Sequence, residues 1–300
     1  MNTPGLEGSR LIYGCMRLAG DGSAAAMRRG RHAVRAALDA GFTTFDHADI
    51  YSGGQCEQIF GAVLRDSPSL RDQLQIIGKC GIRHAGEPSE TSPGRYDFSS
   101  KHLLTAVDGS LRRLGVEHLD LLLLHRPDYL MDPHEVAGVF DRLRSSGKVA
   151  NFGVSNFSPS QVNLLQSALD APLRANQVEI NLHNISTLTD GTLDQCLQLG
   201  MTPQAWCPLA AVAYPAWGNT FNSDDDERLR RELSRQQAIY DLEHWQIALA
   251  WLLAHPAGIR PIIGSTTPKR IEAALSAPEV PYAREDWYRL LEARNGHAVP

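Results

Sequence analysis

His118-Leu119-Asp120-Leu121-Leu122-Leu123-Leu124-His125 is the stretch that decides the fold. Four consecutive leucines leave no alternation between a wet and a dry face. The segment therefore reads as a strand buried on both faces, as strands of a parallel sheet covered by helices are. Outward from it the chain alternates. Residues 11–16, 43–46 and 75–79 upstream read as strands, as do 149–154, 175–180, 202–207 and 261–265 downstream. Between them lie helical patterns. The first is capped by Ser23 and stopped at Gly41. Residues 57–64 turn Ile59, Phe60 and Val63 inward, and 101–114 carry Leu103, Leu104, Val107, Leu111 and Leu114 at helical spacing. Further helices are expected over 133–146, 158–169, 192–199, 229–240, 247–253, 268–275 and 284–293. Eight strand–helix units with no linker predict a single α/β domain over residues 1–300, a (β/α)₈ TIM barrel. In such a barrel the C-terminal ends of the strands carry function.

Bulk properties exclude several classes. The 300 residues are 43% hydrophobic and 21% charged, ordinary for a globular chain, and the net charge of −5 offers no basic face for nucleic acid. The basic run Arg28-Arg29-Gly30-Arg31 opens a helix and reads as a solvated face. Five widely spaced cysteines with no CxxC argue against a disulfide framework or a zinc site, and so for a reducing cytoplasm. Residues 1–10 contain no apolar signal segment, and the leucine run is too short to span a bilayer.

Three neighbouring strand ends bring four polar residues to one rim: Asp46, with Tyr51 in the turn beyond it, Lys79 and His125. Singly, each has a plainer reading: a cap, a surface lysine, a hydrogen-bonded core histidine, a packed tyrosine. Together they suit one reaction. A phenol with a pKa near 10 is a poor acid at neutral pH. A nearby ammonium, Lys79, is expected to lower that pKa, with Asp46 keeping the lysine charged and positioned. His125 can polarise a carbonyl oxygen. Tyr51 would then protonate an aldehyde or ketone oxygen as hydride reaches the carbon.

With these residues in place the sequence resembles the aldo-keto reductase family, and in particular its bacterial oxidoreductases. Asp46, Tyr51, Lys79 and His125 in His125-Arg126-Pro127-Asp128 are similar to the family's Asp-Tyr-Lys-His tetrad. Phe152-Gly153-Val154-Ser155-Asn156-Phe157 and Asn176-Gln177-Val178-Glu179 are similar to two further signatures, and Ile263-Gly264-Ser265 with Arg270 to the final phosphate-binding stretch. The resemblance implies an NADPH-dependent carbonyl reductase using NADPH/NADP+ and a small-molecule carbonyl substrate. Ser155, Asn156 and Gln177 would hold the nicotinamide carboxamide, and Trp206 would stack on its ring. Gly264, Ser265, Thr266 and Arg270 would hold the adenosine 2′-phosphate, a role suited to an arginine and a loop-to-helix start. Two departures stand there: Gly264 replaces a lysine of some members, and Ala273-Ala274 replaces a common Glu-Asn.

Competing readings remain. Gly20-Asp21-Gly22-Ser23-Ala24-Ala25 fits a GxGxxA dinucleotide string, which would make Asp46 a ribose ligand. A cofactor-bound regulatory barrel with little turnover is a second reading. A metal-dependent hydrolase is a third, although the eleven histidines include no HxH or HExxH pair and no metal is expected. His47, Asp49 and the Gly53-Gly54 turn are expected to be structural. Substrate choice is expected from 81–99, Tyr129-Leu130-Met131, the segment 208–228 with Tyr214, Trp217 and Phe221, acting as lid or pocket wall, and the tail after Glu292. Oligomeric state is not legible.

Overall fold

The computed structural model describes residues 8–210, 212–213 and 221–300. The chain runs β1 (Ile12–Gly14), α1 (Ala24–Asp39), β2 (Thr44–Asp46), α2 (Gln55–Asp66), β3 (Gln75–Cys80), β4 (Ile82–Arg83) and β5 (Arg95–Tyr96). It continues through α3 (Ser100–Leu114), β6 (Leu119–Leu124), α4 (Pro133–Ser145), β7 (Val149–Ser155), α5 (Pro159–Gln166), β8 (Ala175–Glu179) and α6 (Thr192–Leu199). The last third comprises β9 (Thr202–Trp206), α7 (Ser223–Tyr240), α8 (His244–Leu253), β10 (Arg260–Ile263), α9 (Pro268–Ala273) and α10 (Arg284–Asn295). Every strand except β4 and β5 joins one closed barrel, in the order β1-β2-β3-β6-β7-β8-β9-β10 and back to β1, with each pair parallel. The expected (β/α)₈ barrel is what forms. A closed barrel leaves no open doubly wound sheet for the GxGxxA reading. Ser23 of that string instead caps α1.

The opening leucine run shows why the barrel closes. Leu121 and Leu123 point into its interior with Ile12, Ile77, Ala175 and Ile262. Leu122 and Leu124 point outward into the apolar layer under the helices. On the neighbouring β7, Gly153 leaves room for close approach: a Cβ there would lie 2.7 Å from the Ala175 carbonyl oxygen and 2.7 Å from Leu123 Cδ2.

Two segments differ from expectation. The stretch 81–99 contains the antiparallel hairpin β4–β5, held by an Arg83–Asp97 ion pair at 2.6 Å. Helix α7 starts at Ser223 rather than 229, because Asn222 accepts from the backbone N–H groups of Asp224 and Asp225 while Asp225 reaches back to the Asn222 N–H. Asp224, Asp225 and Asp226 are thus its first turn, where carboxylates face the positive end of the helix dipole. No helix among the described residues is long and apolar enough to cross a membrane.

Candidate active site

Asp46 closes β2 and Lys79 stands one residue before the end of β3, so adjacent parallel strands deliver both to the same rim. Lys79 Nζ lies 2.5 Å from Asp46 Oδ1, with side chains 0% and 4% exposed. A buried ion pair needs further hydrogen bonds to offset its lost hydration. Gln177 supplies one, donating from Nε2 to the same Asp46 oxygen at 2.9 Å. Tyr51 begins a short 3₁₀ turn, Tyr51–Gly54, in which Ser52, Gly53 and Gly54 all take positive φ. Glycine suits position 54, because its φ of 86° is one that L side chains rarely adopt. The turn sets the Tyr51 ring with its centroid 5.2 Å from Lys79 Nζ, and the His125 ring stands edge-on to it at 6.0 Å and 83°. The four residues meet.

Their electrostatics correct one expectation. The Tyr51 phenol is pushed well above its ordinary value, chiefly by burial and next by the Asp46 carboxylate. The ammonium beside it does not reverse this, because Asp46 already neutralises that charge. Burial lowers Lys79 itself, with Asp46 opposing. His125 is held well below the usual histidine range by burial, then by Lys79 and Arg126, and is neutral. His47 is fully buried, packs edge-on against Phe60 at 4.6 Å, and is lowered to about 3 by burial. Asp49 is raised to about 7 by burial and then by the nearby charge of Glu57, which is itself paired with Arg113 at 2.6 Å.

A second group adjoins the first. Ser155 ends β7, Asn156 follows with φ 62°, and Trp206 ends β9. Ser155 Oγ donates to the Gln177 carbonyl at 2.8 Å. Asn156 Nδ2 donates to Ser155 Oγ at 2.9 Å and to the His125 carbonyl at 3.3 Å. Trp206 Nε1 donates to Asn156 Oδ1 at 2.9 Å. Gln177 gives its second N–H to Gln204 Oε1 at 3.0 Å. The carboxylate and the indole N–H fix which end of each amide is nitrogen. All donors of Ser155, Asn156 and Gln177 are therefore spent, and what they still offer is lone pairs. A ligand group with an N–H to give, such as a carboxamide, fits this set. Trp206 rests on the apolar layer inside the barrel, with the Arg126 guanidinium 5.5 Å from its ring.

The residues after β10 stand apart. The Ser265 carbonyl accepts from Tyr13 OH at 2.9 Å, and Ser265 Oγ accepts from the Thr267 N–H. Thr266, Lys269 and Arg270 are exposed, and no carboxylate among the described residues pairs with Arg270. Nothing ties Gly264, Ser265, Thr266 and Arg270 to the tetrad directly. Of the expected pocket aromatics, Phe221 stands edge-on to His183 at 4.9 Å, while Tyr214 and Trp217 lie outside the described residues. Two residues that the sequence gives no role join the site, Gln204 through its bond to Gln177 and Arg126 over the Trp206 ring. An amide two positions before Trp206 on one strand shares its inward face, and that spacing was the available signal. Among the described residues no three His, Cys, Asp or Glu side chains cluster to hold a metal. All five cysteines are free thiols.

Known proteins share this architecture. The Aldo/keto reductase family model matches residues 10–295. Oxidoreductase YdhF of Escherichia coli is 42% identical over 299 residues, covering 99% of this chain and 97% of that protein. The 6-dehydroglucose reductase of Agrobacterium fabrum is 38% identical over 297 residues, covering 98% and 97%. A solved aldo-keto reductase from Klebsiella pneumoniae in complex with NADPH aligns with a TM-score of 0.76 at 25% identity, over 97% of this chain and 92% of that one. With the parallel barrel, the four polar residues on its rim and a family match over nearly its whole length, the chain belongs to the aldo/keto reductase family.

Proposed function

We propose that the protein is an NADP(H)-dependent oxidoreductase that reduces an aldehyde or ketone to an alcohol, with Tyr51 as proton donor. The observation that carries this reading is the buried Lys79–Asp46 pair beside the Tyr51 ring, with neutral His125 edge-on to it. Tyr51 is protonated at neutral pH, which is the state a donor needs. In this reading Lys79 acts after the transfer, stabilising the phenolate that is left. His125 donates an N–H to the substrate oxygen as a neutral imidazole. Asp46 and Gln177 keep the ammonium in place.

The lone pairs of Ser155, Asn156 and Gln177 suit the nicotinamide carboxamide, and Trp206 offers a face for its ring. Bound there, NADPH supplies the hydride. Exposed Arg270 with Ser265, Thr266 and Gly264 would take the 2′-phosphate. The NADPH complex of the Klebsiella relative supports the cofactor, and the relative named for reducing 6-dehydroglucose supports carbonyl reduction.

Steady-state NADPH oxidation with a panel of aldehydes and ketones tests the proposal. Tyr51→Phe should lower kcat by about 10²–10⁴-fold with little change in cofactor affinity. Near-wild-type turnover in that variant would refute the role of Tyr51. Tight cofactor binding without turnover on any carbonyl would favour a regulatory barrel instead. Arg270→Ala should weaken NADPH more than NADH, and equal loss would remove the 2′-phosphate role.

A further inference from the structure

We propose that Gln204 is a positioning residue: it holds the Gln177 amide so that only its oxygen is open to a ligand, making this position selective for a ring substituent that donates an N–H. The inference rests on the nicotinamide reading above.

Gln204 sits inside the barrel on β9 at 0% exposure, with Gln177 on β8 as its register partner on one side and Arg260 on β10 on the other. A buried amide is costly unless both of its ends are paired. Only one end of this one is. Gln204 Oε1 accepts from Gln177, whereas Gln204 Nε2 is buried without a hydrogen-bond partner. A methionine or leucine would fill similar space with no unpaired N–H of its own, and would forgo only the bond that Gln204 Oε1 accepts from Gln177. The packing therefore gives no reason for an amide here; the bond made by its oxygen does.

That bond decides what Gln177 presents. Gln177 has two N–H groups, and one is given to Asp46 Oδ1, the oxygen that also holds Lys79. Gln204 takes the other. The terminal torsion of a glutamine is a broad, soft rotor. Tethered by Asp46 alone, it could turn its free N–H or its oxygen toward the ligand. Tethered at both N–H groups, it shows only lone pairs. The chain Gln204–Gln177–Asp46–Lys79 also fixes the ammonium beside Tyr51, so one set of bonds registers the ring-binding end against the proton donor.

The test compares NADP+ with its 3-acetylpyridine analogue, in which methyl replaces the carboxamide –NH₂, and with 2′,5′-ADP, which lacks the ring. Dissociation constants come from quenching of tryptophan fluorescence or from calorimetry. The wild-type protein should bind NADP+ about tenfold or more tighter than the analogue, as one net hydrogen bond allows. Gln204→Met should narrow that ratio to within about threefold, leaving 2′,5′-ADP affinity unchanged. Gln204→Glu, whose buried carboxyl keeps an acceptor oxygen, should preserve the ratio and guards against a Met variant that fails to fold. An unchanged ratio in Gln204→Met, or equal losses for all three ligands, overturns the role of Gln204, as does a wild-type ratio near one. A wild-type protein that binds 2′,5′-ADP but gains nothing from the ring refutes the nicotinamide reading itself.

Discussion

Tyr51 is held where a phenol is hard to ionise. Burial removes water from the phenolate, the Asp46 carboxylate repels it, and the lysine that would favour it is already paired with that same carboxylate at 2.5 Å. In the cofactor-free protein the phenolate absorbance assigned by difference between wild type and Tyr51→Phe should therefore appear only above pH 10.0, the ordinary phenol value. A difference signal at lower pH would show that the ammonium wins. Asp49 gives a second test, through stability. Its pKa is about 7 in the folded chain against 3.8 ordinarily, so the folded state holds the proton more tightly. Stability from this group is fully present below the unfolded pKa and falls as pH rises between about 4 and about 7. His47 and His125, lowered by burial, push stability the other way over the acid range, so the comparison has to be with a variant. In urea denaturation at about pH 4.5 and about pH 7.5, Asp49→Asn should gain on wild type at the higher pH. An identical difference at both would sink the idea.

At the scale of elements, strand β7 ends in Ser155, with Asn156 next in the chain, on a backbone that presses against β6 and β8. Gly153→Ala puts a methyl 2.7 Å from the Ala175 carbonyl oxygen, and the strand must shift to accept it. The expected cost is about 1–3 kcal/mol of stability by denaturant titration, with weaker cofactor binding because Ser155 ends the same strand and Asn156 follows it. A stable variant with unaltered affinity would show that β7 has slack. Strand β6 was legible in the sequence because a doubly buried strand leaves a long apolar run, and barrel topology then says which end of each strand matters. Asp46, Tyr51, Lys79 and His125 stand out at such ends. Other elements left no such trace. Strands β4 and β5 have two residues each, too few for any period to show. The three aspartates of α7 look like a loop until Asn222 is seen to cap them. The direction of the Tyr51 shift depends on which carboxylate already owns the lysine, and Gln204 matters only through a bond to another strand. Both are facts of three dimensions.

The whole molecule is a wall with an inside and an outside, and the leucine run of β6 belongs to both. Leu121 is 0% exposed and faces the barrel interior, while Leu122 is 2% exposed and faces the helices. In a sheet with one wet face, one of two successive residues would be cheap to truncate. Here neither is. Leu121→Ala and Leu122→Ala should each cost about 2–5 kcal/mol, since each leaves a cavity in a packed layer. Their functional effects should part. The interior layer that contains Leu121 is the one on which Trp206 rests, and Trp206 Nε1 holds Asn156 Oδ1. Leu121→Ala should therefore also loosen the indole, weakening NADP+ binding and altering the tryptophan emission. Leu122→Ala, with its cavity beneath the helices, should melt at a similarly reduced temperature and bind NADP+ as wild type does. Thermal denaturation followed by fluorescence titration of both variants decides it. Equal loss of affinity would mean that the two layers act on the mouth alike, and an unperturbed Leu121→Ala site would mean that Trp206 is held by its hydrogen bond alone.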